Sequence, residues 1–116
     1  MPRDVSNERQ NAKVREVAER RAMRRRDALR AVMDDAQGRL WVRELIEGCG
    51  IFLGGYQPDG ARQYFDAGQR NIGLALYAEC LRDAPQSFRL MEDEAASRSK
   101  SDAREDAAAL KELDGE

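Results

Sequence analysis

The chain contains no histidine, and this absence limits the chemistry it can perform. Histidine is the side chain most often used for proton transfer near neutral pH, and it is the commonest metal ligand. A serine or cysteine nucleophile would lack its usual base. The composition therefore argues against an enzyme, and we expect no metal, no cofactor and no small-molecule substrate.

Cysteine is also scarce, with only Cys49 and Cys80, which lie far apart in the chain. They form neither a CxxC pair nor a zinc-ligand spacing. Each stands among apolar residues, so buried free thiols are expected, with a disulfide or redox role as the alternative.

Long apolar runs are missing as well. No run approaches the roughly 18 apolar residues that a membrane-spanning helix needs, and the first ten residues, MPRDVSNERQ, lack the apolar segment of a signal peptide. We expect a soluble protein, without a membrane span, that is made in a reducing cytoplasm.

Only seven residues are aromatic (one Trp, 3 Tyr and 3 Phe), whereas 36% of the chain is charged. The usual charged fraction is about 25%, so a compact core can use only part of the chain. Much of the chain's bulky apolar content lies between Gly48 and Leu81, and the core is expected there. At 116 residues the chain fits a single domain. Such a domain would be only marginally stable as a monomer, so self-assembly or a host complex is favoured.

The charges that are present are divided unevenly between the two ends. Residues 1–30 carry ten basic and five acidic side chains, and residues 92–116 carry four basic and nine acidic ones. Opposite charge permits contact between the ends of one molecule or of neighbouring molecules. We divide the chain into an arginine-rich arm (residues 1–28), a core (residues 29–95) and an acidic tail (residues 96–116).

The pattern predicts an all-α fold, a small helical hairpin or bundle with a long N-terminal helix. No proline or glycine occurs from residue 3 to Gln37, which favours one long helix, and Gly38 is expected to interrupt it. A second helix over residues 39–47 would bury Leu40, Trp41, Leu45 and Ile46. We expect Trp41 to be a core anchor rather than a binding platform.

Two more helices are predicted further on. Residues 51–53 are expected to form an apolar loop, Asp59 is a credible N-cap, and a third helix would run from about Gly60 to Arg82. Pro85 opens a fourth helix, whose apolar stripe is Phe88, Met91 and Ala95. The acidic tail would be either disordered or a helix that needs a partner surface.

The sharpest charge feature is an arginine ridge on the first helix. Its members are Arg20, Arg21, Arg24, Arg25, Arg26 and Arg30. Arginine suits phosphate because its planar fork donates two hydrogen bonds to one group, so the ridge predicts contact with DNA or with an acidic protein. The alternative is a solvated helix face paired with Glu16 and Glu19.

The third helix places Arg70 and Asn71 between Gly68 and Gly73, in the most apolar part of the chain. A buried arginine needs a partner, so we expect a structural salt bridge or an interface anchor. The glycines would allow another helix to approach closely. The cluster at residues 92–94 is not expected to bind metal, because adjacent carboxylates on a helix point in different directions.

The segments RLWVRELIEGCGIF, YFDAGQRNIGLALYAECL and SFRLMEDE, within residues 39–95, resemble a small tailed-phage protein family known from a Bordetella podovirus and related phages. Its most distinctive block is Gly-x-Arg-Asn-x-Gly-Leu. The resemblance implies a virion-associated protein that is made in the host cytoplasm. It supplies no catalytic residues.

From these features we predict a non-enzymatic, multi-copy component of a tailed-phage virion, at the head-tail junction, in the tail or in the internal ejection apparatus. It would contact portal, tail or ejection proteins through helix packing. The expected interface residues are Trp41, Phe52, Tyr64, Phe65, Gly68, Arg70, Asn71 and Gly73. The alternatives are a nucleic-acid-binding accessory protein of packaging or regulation that uses the arginine ridge, and an inhibitor of a host enzyme.

Overall fold

The protein is all-α, as its sequence predicts. The structure, a computed structural model, describes residues 5–52 and 60–115, with side chains from residue 64 onward in the second range. These ranges form four helices and contain no strand. The helices are α1 (Val5–Met33), α2 (Ala36–Gly48), α3 (Gly60–Asp83) and α4 (Pro85–Asp114). Asp59 and Leu53, the predicted N-cap and loop residue, lie outside the described residues.

The corner between α1 and α2 differs from the prediction. The first helix ends at Met33, and Gly38 lies inside the first turn of α2 instead of interrupting the chain. Asp35 is extended, with φ −106 and ψ 138, and its carbonyl accepts a 2.9 Å hydrogen bond from the Arg39 amide. The turn is so tight that the Val32 carbonyl packs directly on the Cα face of Gly38. Glycine is therefore required here for close approach.

The start of α3 and the predicted fourth helix are confirmed. Only Ala84 separates α3 from Pro85, which occupies the first turn of α4, where a missing amide hydrogen costs nothing. The acidic tail is helical, because α4 continues through it to Asp114, and its need for a partner surface stays a prediction.

The core is small and lies where all four helices meet. Its buried apolar residues are Met33, Val42, Ile46, Cys80, Ala84 and Met91. Leu29, Leu76 and Phe88 pack against them. The prediction that the core lies within residues 48–81 is wrong, because of these six buried residues only Cys80 belongs to that segment. In the described part of α3, the side chains of residues 64–72 are exposed or half-buried, and buried positions begin at Gly73.

The molecule is long and thin, measuring 85 × 40 × 16 Å. At 1.5 Å per residue, α1 and α4 are each about 45 Å long. Each of these two helices is therefore about half as long as the molecule. The side chains of residues 5–16 in the arginine-rich arm and of residues 99–115 in the acidic tail are exposed throughout.

Candidate protein-interaction surface

An exposed apolar stripe runs along α2. Trp41 and Leu45 are one turn apart, and they are 64% and 45% exposed. The helix instead buries Val42 and Ile46, which are also one turn apart on a different face. The expectation that Trp41 anchors the core is therefore wrong. A large aromatic ring left in solvent is typical of a binding surface, since tryptophan is enriched among the residues that dominate interface energetics.

The first half of α3 is the second exposed apolar region. Tyr64, Phe65 and Ile72 are 83%, 65% and 67% exposed. A Cβ added at Gly68 would meet nothing within 4 Å, so this glycine is not explained by packing within the described chain. We use the name apolar surface for these residues together with Trp41 and Leu45, which are exposed on two different helices. Isolated exposed hydrophobic residues are normal, but several bulky ones along two helices mark an interaction site.

Gly73 has a different role from Gly68. A Cβ at Gly73 would lie 2.5 Å from the Cys49 Cβ and 2.8 Å from Cγ2 of Ile51, closer than side chains tolerate. The close approach predicted for the glycines of this helix is thus found at Gly73, and it is made by the end of α2 in the same molecule. Gly73 is buried and supports the fold.

Phe52 contacts the side chains of Tyr77 and Arg43 in its own chain. Its ring packs edge-on against Tyr77, with centroids 5.6 Å apart, and the Arg43 guanidinium lies 4.1 Å above it. Tyr77 in turn packs edge-on against Phe88 at 4.9 Å. Burial raises the pKa of the Tyr77 hydroxyl. Phe52 remains 47% exposed, so one part of the ring stabilises the end of α2 and another part faces solvent.

Ion pairs join α2 to α4, and sequence reasoning did not find them. Arg39 donates to Glu94 at 2.7 Å and 3.3 Å, and Arg43 donates to Glu92 and to Glu47. Arg39, the earlier arginine, pairs with Glu94, the later glutamate, and Arg43 pairs with Glu92. This reversed order shows that α2 and α4 are antiparallel. The spacing of Arg39 and Arg43, on the flank of an amphipathic helix, was the available signal. Glu92 and Glu94 of the acidic cluster both pair with arginines of α2.

Acid should weaken the fold through Glu94. Its hydrogen bonds with Arg39 hold the pKa of Glu94 below its ordinary value of 4.5. A carboxylate with a lowered pKa stabilises the folded state above its unfolded pKa, and this contribution is lost as the pH falls through the folded pKa. We expect the melting temperature to fall below about pH 5. The Glu94→Gln variant should have a lower melting temperature than wild type at pH 7. Thermal melts from pH 7 to pH 3 should show that its melting temperature then falls less steeply with pH.

The matched control is Asp93→Asn. Asp93 is exposed and forms no hydrogen bond or ion pair with any residue that the structure describes. The melting temperature of Asp93→Asn should therefore depend on pH in the same way as that of wild type. Equal slopes for wild type and Glu94→Gln would contradict a stabilising role for the Arg39–Glu94 pair.

Arg70 and Asn71 are exposed, so the expectation of a buried arginine held by a salt bridge is wrong. The helix turns Gly73, Leu76 and Cys80 inward, and this leaves Arg70 on the solvent side. Arg70 forms no ion pair within the described ranges. It is available to a partner, which keeps its predicted role as an interface residue.

The arginine ridge is divided into structural and free members. Arg25 binds Glu79 through two hydrogen bonds of 2.7 Å and 2.9 Å, and Arg30 donates to the Asp83 carbonyl at 2.6 Å. The bonds from Arg25 lower the pKa of Glu79. Arg26 lies 3.8 Å from Asp27. Arg25 and Arg30 thus dock α1 on the end of α3, whereas the ion pair of Arg26 lies within α1.

The remaining members are exposed and form no hydrogen bond or ion pair among residues 5–52 and 60–115. They are Arg20, Arg21 and Arg24. The pairing with Glu16 and Glu19 that the solvated-face alternative requires is not found there. The free part of the ridge is therefore three residues long instead of six.

Both cysteines are free thiols, as expected. Cys80 is fully buried, and burial raises the pKa of its thiol to about 11. Cys49 is half-buried. Among the residues that the structure describes, no group of three or more cysteine and carboxylate side chains could hold a metal ion. None of the helices in those ranges has the length and apolar character to cross a membrane.

Comparison of the chain with known protein families, with curated proteins and with solved structures gives no match. The account of function therefore depends on the geometry of this chain.

Proposed function

We propose that the protein is a non-enzymatic structural or assembly component of a tailed-phage virion, present in several copies, that acts by helix-mediated contacts with other virion proteins. The observation that supports this most strongly is the apolar surface. Trp41, Tyr64, Phe65 and Ile72 are each more than 60% exposed. Their burial against a partner would contribute roughly 1.5 to 3 kcal/mol for each fully covered side chain.

The small core supports the same proposal. Among the residues whose side chains the structure describes, the fully buried large ones are Met33, Ile46, Met91 and Cys80, and the other buried apolar residues are Val42 and Ala84. A core of this size stabilises a monomer only marginally. Binding to a partner adds stability to the folded state by mass action. A protein that works inside an assembly would gain in this way.

The phage assignment draws on the resemblance of residues 39–95. Within the Gly-x-Arg-Asn-x-Gly-Leu block, Gly73 serves the fold, whereas Gly68, Arg70 and Asn71 are exposed. The block thus presents three polar or small residues beside the apolar surface. Portal, tail or ejection proteins are the proposed partners, and the virion is the proposed location.

The test is incorporation into particles. Phage particles would be produced in cells that express a tagged copy of this chain. The tag would then be quantified in gradient-purified particles. We expect the wild-type chain in the particles and about tenfold less of a Trp41→Ser, Tyr64→Ser double variant, because exposed aromatic side chains dominate interface energies. Circular dichroism would verify that the variant keeps its helices.

Leu81→Ser is the matched control. Leu81 is 51% exposed and lies half a helical circumference from Ile72 on α3, away from the apolar surface. The Leu81→Ser variant should be incorporated into particles in the same amount as wild type. A wild-type chain that is absent from purified particles would contradict the proposal.

The second candidate is a nucleic-acid-binding accessory protein. The observation that favours it is the exposure of Arg20, Arg21 and Arg24 without partners among the described residues. Phosphate contacts make affinity fall steeply with salt, by about 0.9 of a log unit per log unit of salt for each contact. A gel-shift titration in 50 to 200 mM salt therefore separates the candidates. A protein that shifts no DNA even at low salt would exclude the second candidate.

A further inference from the structure

The first helix has one face that is basic and contains no acidic residue. In the stretch from Lys13 to Arg24, the side chains within about 60° of Val17 around the helix axis are apolar or cationic. We call them the basic face, and they are Lys13, Val14, Val17, Arg20, Arg21 and Arg24. The acidic residues of the same stretch, Glu16 and Glu19, lie about 100° and 160° from Val17.

The basic face is not covered by the described part of its own chain. Val14 is 67% exposed, and Val17 lies beside it in a shallow groove that is lined by α1 residues alone. The residues that pack α1 on the core, Leu29 and Met33, lie about 120° and 160° around the helix from Val17. The basic face therefore points away from the core and toward solvent.

The acidic tail has a face of the opposite charge. From Ser99 to Leu113, the side chains within about 60° of Leu113 are small, apolar or acidic. We call them the acidic face, and they are Ser99, Asp102, Asp106, Ala109, Leu110 and Leu113. The cations of the same stretch, Lys100, Arg104 and Lys111, lie about 140° or more from Leu113.

The acidic face continues the side of α4 that packs in the core. Phe88 and Met91, which belong to that packing, lie within about 40° of Leu113 around the helix axis. Further along α4, Leu110 and Leu113 are 63% and 67% exposed, and no other element of the described chain covers them. A second helix laid on the acidic face would extend the packing that begins in the core.

The two faces match along their length when the helices are antiparallel. Because both helices rise by the same distance per residue, the numbers of facing residues then add to a constant. With Val14 opposite Leu113, valines face leucines at one end and arginines face aspartates at the other. The pairs are Val14 with Leu113, Val17 with Leu110, Arg21 with Asp106 and, within one residue, Arg24 with Asp102. Steps of three and four residues are those of a coiled-coil seam, and a parallel pair would instead set the leucines against arginines.

We propose that the basic face of one copy binds the acidic face of a second copy as an antiparallel helix pair. The apolar end of the pair excludes water, and the charged end selects the partner, since opposite charges across an interface steer association and fix its register. Within one molecule α1 and α4 are unbroken helices whose two faces are not in contact. The contact therefore joins separate copies.

This pairing makes specific the self-association that the proposed function includes, and it rests on that function only to that extent. It assigns the free arginines of the ridge to a protein contact instead of DNA. Every copy carries both faces, so each copy can give one contact and receive another. Reciprocal pairing would yield a dimer, and one-way pairing would yield a ring or a chain of copies.

The first test exchanges the charges in purified full-length protein. One variant carries R21E and R24E, and the other carries D102K and D106K. Sedimentation velocity at low salt should show wild type as a dimer or larger species that dissociates as salt rises, because exposed charges are screened. Each variant alone should associate on the order of 100-fold more weakly, since like charges then face each other. The equimolar mixture should regain the association of wild type.

The matched control is the double variant R9E, R15E. It reverses two charges on the same helix, but these residues lie outside the basic face, about 80° and 160° from Val17. The control should associate like wild type. If it associated as weakly as R21E, R24E, net charge alone would govern association and the inference would fail.

A second set of variants tests the apolar end of the pair. The double variant L110D, L113D should abolish self-association. Leu90→Asp should not, because Leu90 is 51% exposed on α4 but lies about 140° around the helix from Leu113. Circular dichroism would verify that both variants keep their helices. Normal association of L110D, L113D would place the contact elsewhere and contradict the inference.

Disulfide cross-linking tests the direction of the helices. In a Cys49→Ala background, Val14→Cys mixed with Leu113→Cys should form a disulfide-linked heterodimer on mild oxidation. Val14→Cys mixed with Asp102→Cys should not, because the antiparallel register separates these positions by about 16 Å. Mass spectrometry of tryptic peptides would identify the link. The reverse result would show parallel helices and overturn the proposed pairing.

Two results of the sedimentation experiment would also overturn the inference. One is a wild-type chain that stays at the 13.1 kDa monomer mass at low salt and high concentration. The other is a mixture of the charge variants that associates no better than each variant alone. Neither result bears on incorporation into particles, so failure of this inference and failure of the virion proposal are distinguishable.

Discussion

Gly38→Ala should lower the free energy of unfolding by about 2 to 3 kcal/mol, because overpacking at a rigid site forces the backbone to move. The added methyl group would overlap the Val32 carbonyl oxygen and lie 2.9 Å from its carbonyl carbon. The obstruction is backbone at the end of α1, so no side-chain rotation relieves it. Urea or thermal unfolding followed by circular dichroism would measure the effect, with a melting temperature about 10 to 20 °C lower.

Gly48→Ala is the matched control in the same helix. Gly48 is the last residue of α2, and a Cβ there would meet nothing within 4 Å. Its stability should be equal to wild type or higher by up to about 1 kcal/mol, since alanine is the better helix former. If neither alanine variant changed the free energy of unfolding, the close approach of the Val32 carbonyl to Gly38 would be contradicted.

Ile46→Ala should be the second severe change, costing about 3 kcal/mol through lost burial and the cavity left behind. Ile46 is 0% exposed and is one of six buried apolar residues in the described part of the chain. A core so small has little capacity to compensate, so we expect partial unfolding at 37 °C. Denaturant titration would give the free-energy difference, and the midpoint should fall with little change in slope.

Its neighbour Leu45 provides the contrast. Leu45 is 45% exposed on the apolar surface, so Leu45→Ala should change stability by no more than about 0.5 kcal/mol. Equal losses for the two variants would show that the apolar surface is already covered in the purified protein. In that case Leu45→Ala should also alter the sedimentation coefficient.

Helix content could be predicted because it depends on local features. The absence of proline and glycine over the first helix, Pro85 at the start of α4 and the 3-and-4 spacing of Phe88, Met91 and Ala95 all act within a few residues. The corner at Gly38 could not, because a glycine that breaks a helix and one that admits a neighbouring carbonyl look the same in sequence. The carbonyl of Val32 distinguishes them only in the folded chain.

The buried face of α2 shows why the candidate site was only partly predictable. Leu40, Trp41, Val42, Leu45 and Ile46 surround much of the helix, so the pattern offers two apolar faces. Residue size favoured Trp41 for the core. The choice is instead made by the ion pairs of Arg39 and Arg43 with α4, which orient Val42 and Ile46 inward.

Long-range pairs were also beyond sequence reasoning. Arg25 was recognised as part of a ridge, but its partner Glu79 is 54 residues away and on another helix. Nothing local signals such a pair. Conversely, the exposure of Tyr64 and Phe65 agrees with their predicted place at an interface, which stays a prediction until a partner is found.

Quantitative mass spectrometry of purified phage particles tests the central claim most directly. With an isotope-labelled copy of this chain as standard and the major head protein as reference, the measurement gives copies per particle. The account predicts a constant number of several copies in each particle. A chain that is abundant in the infected cell yet undetectable in particles would contradict it.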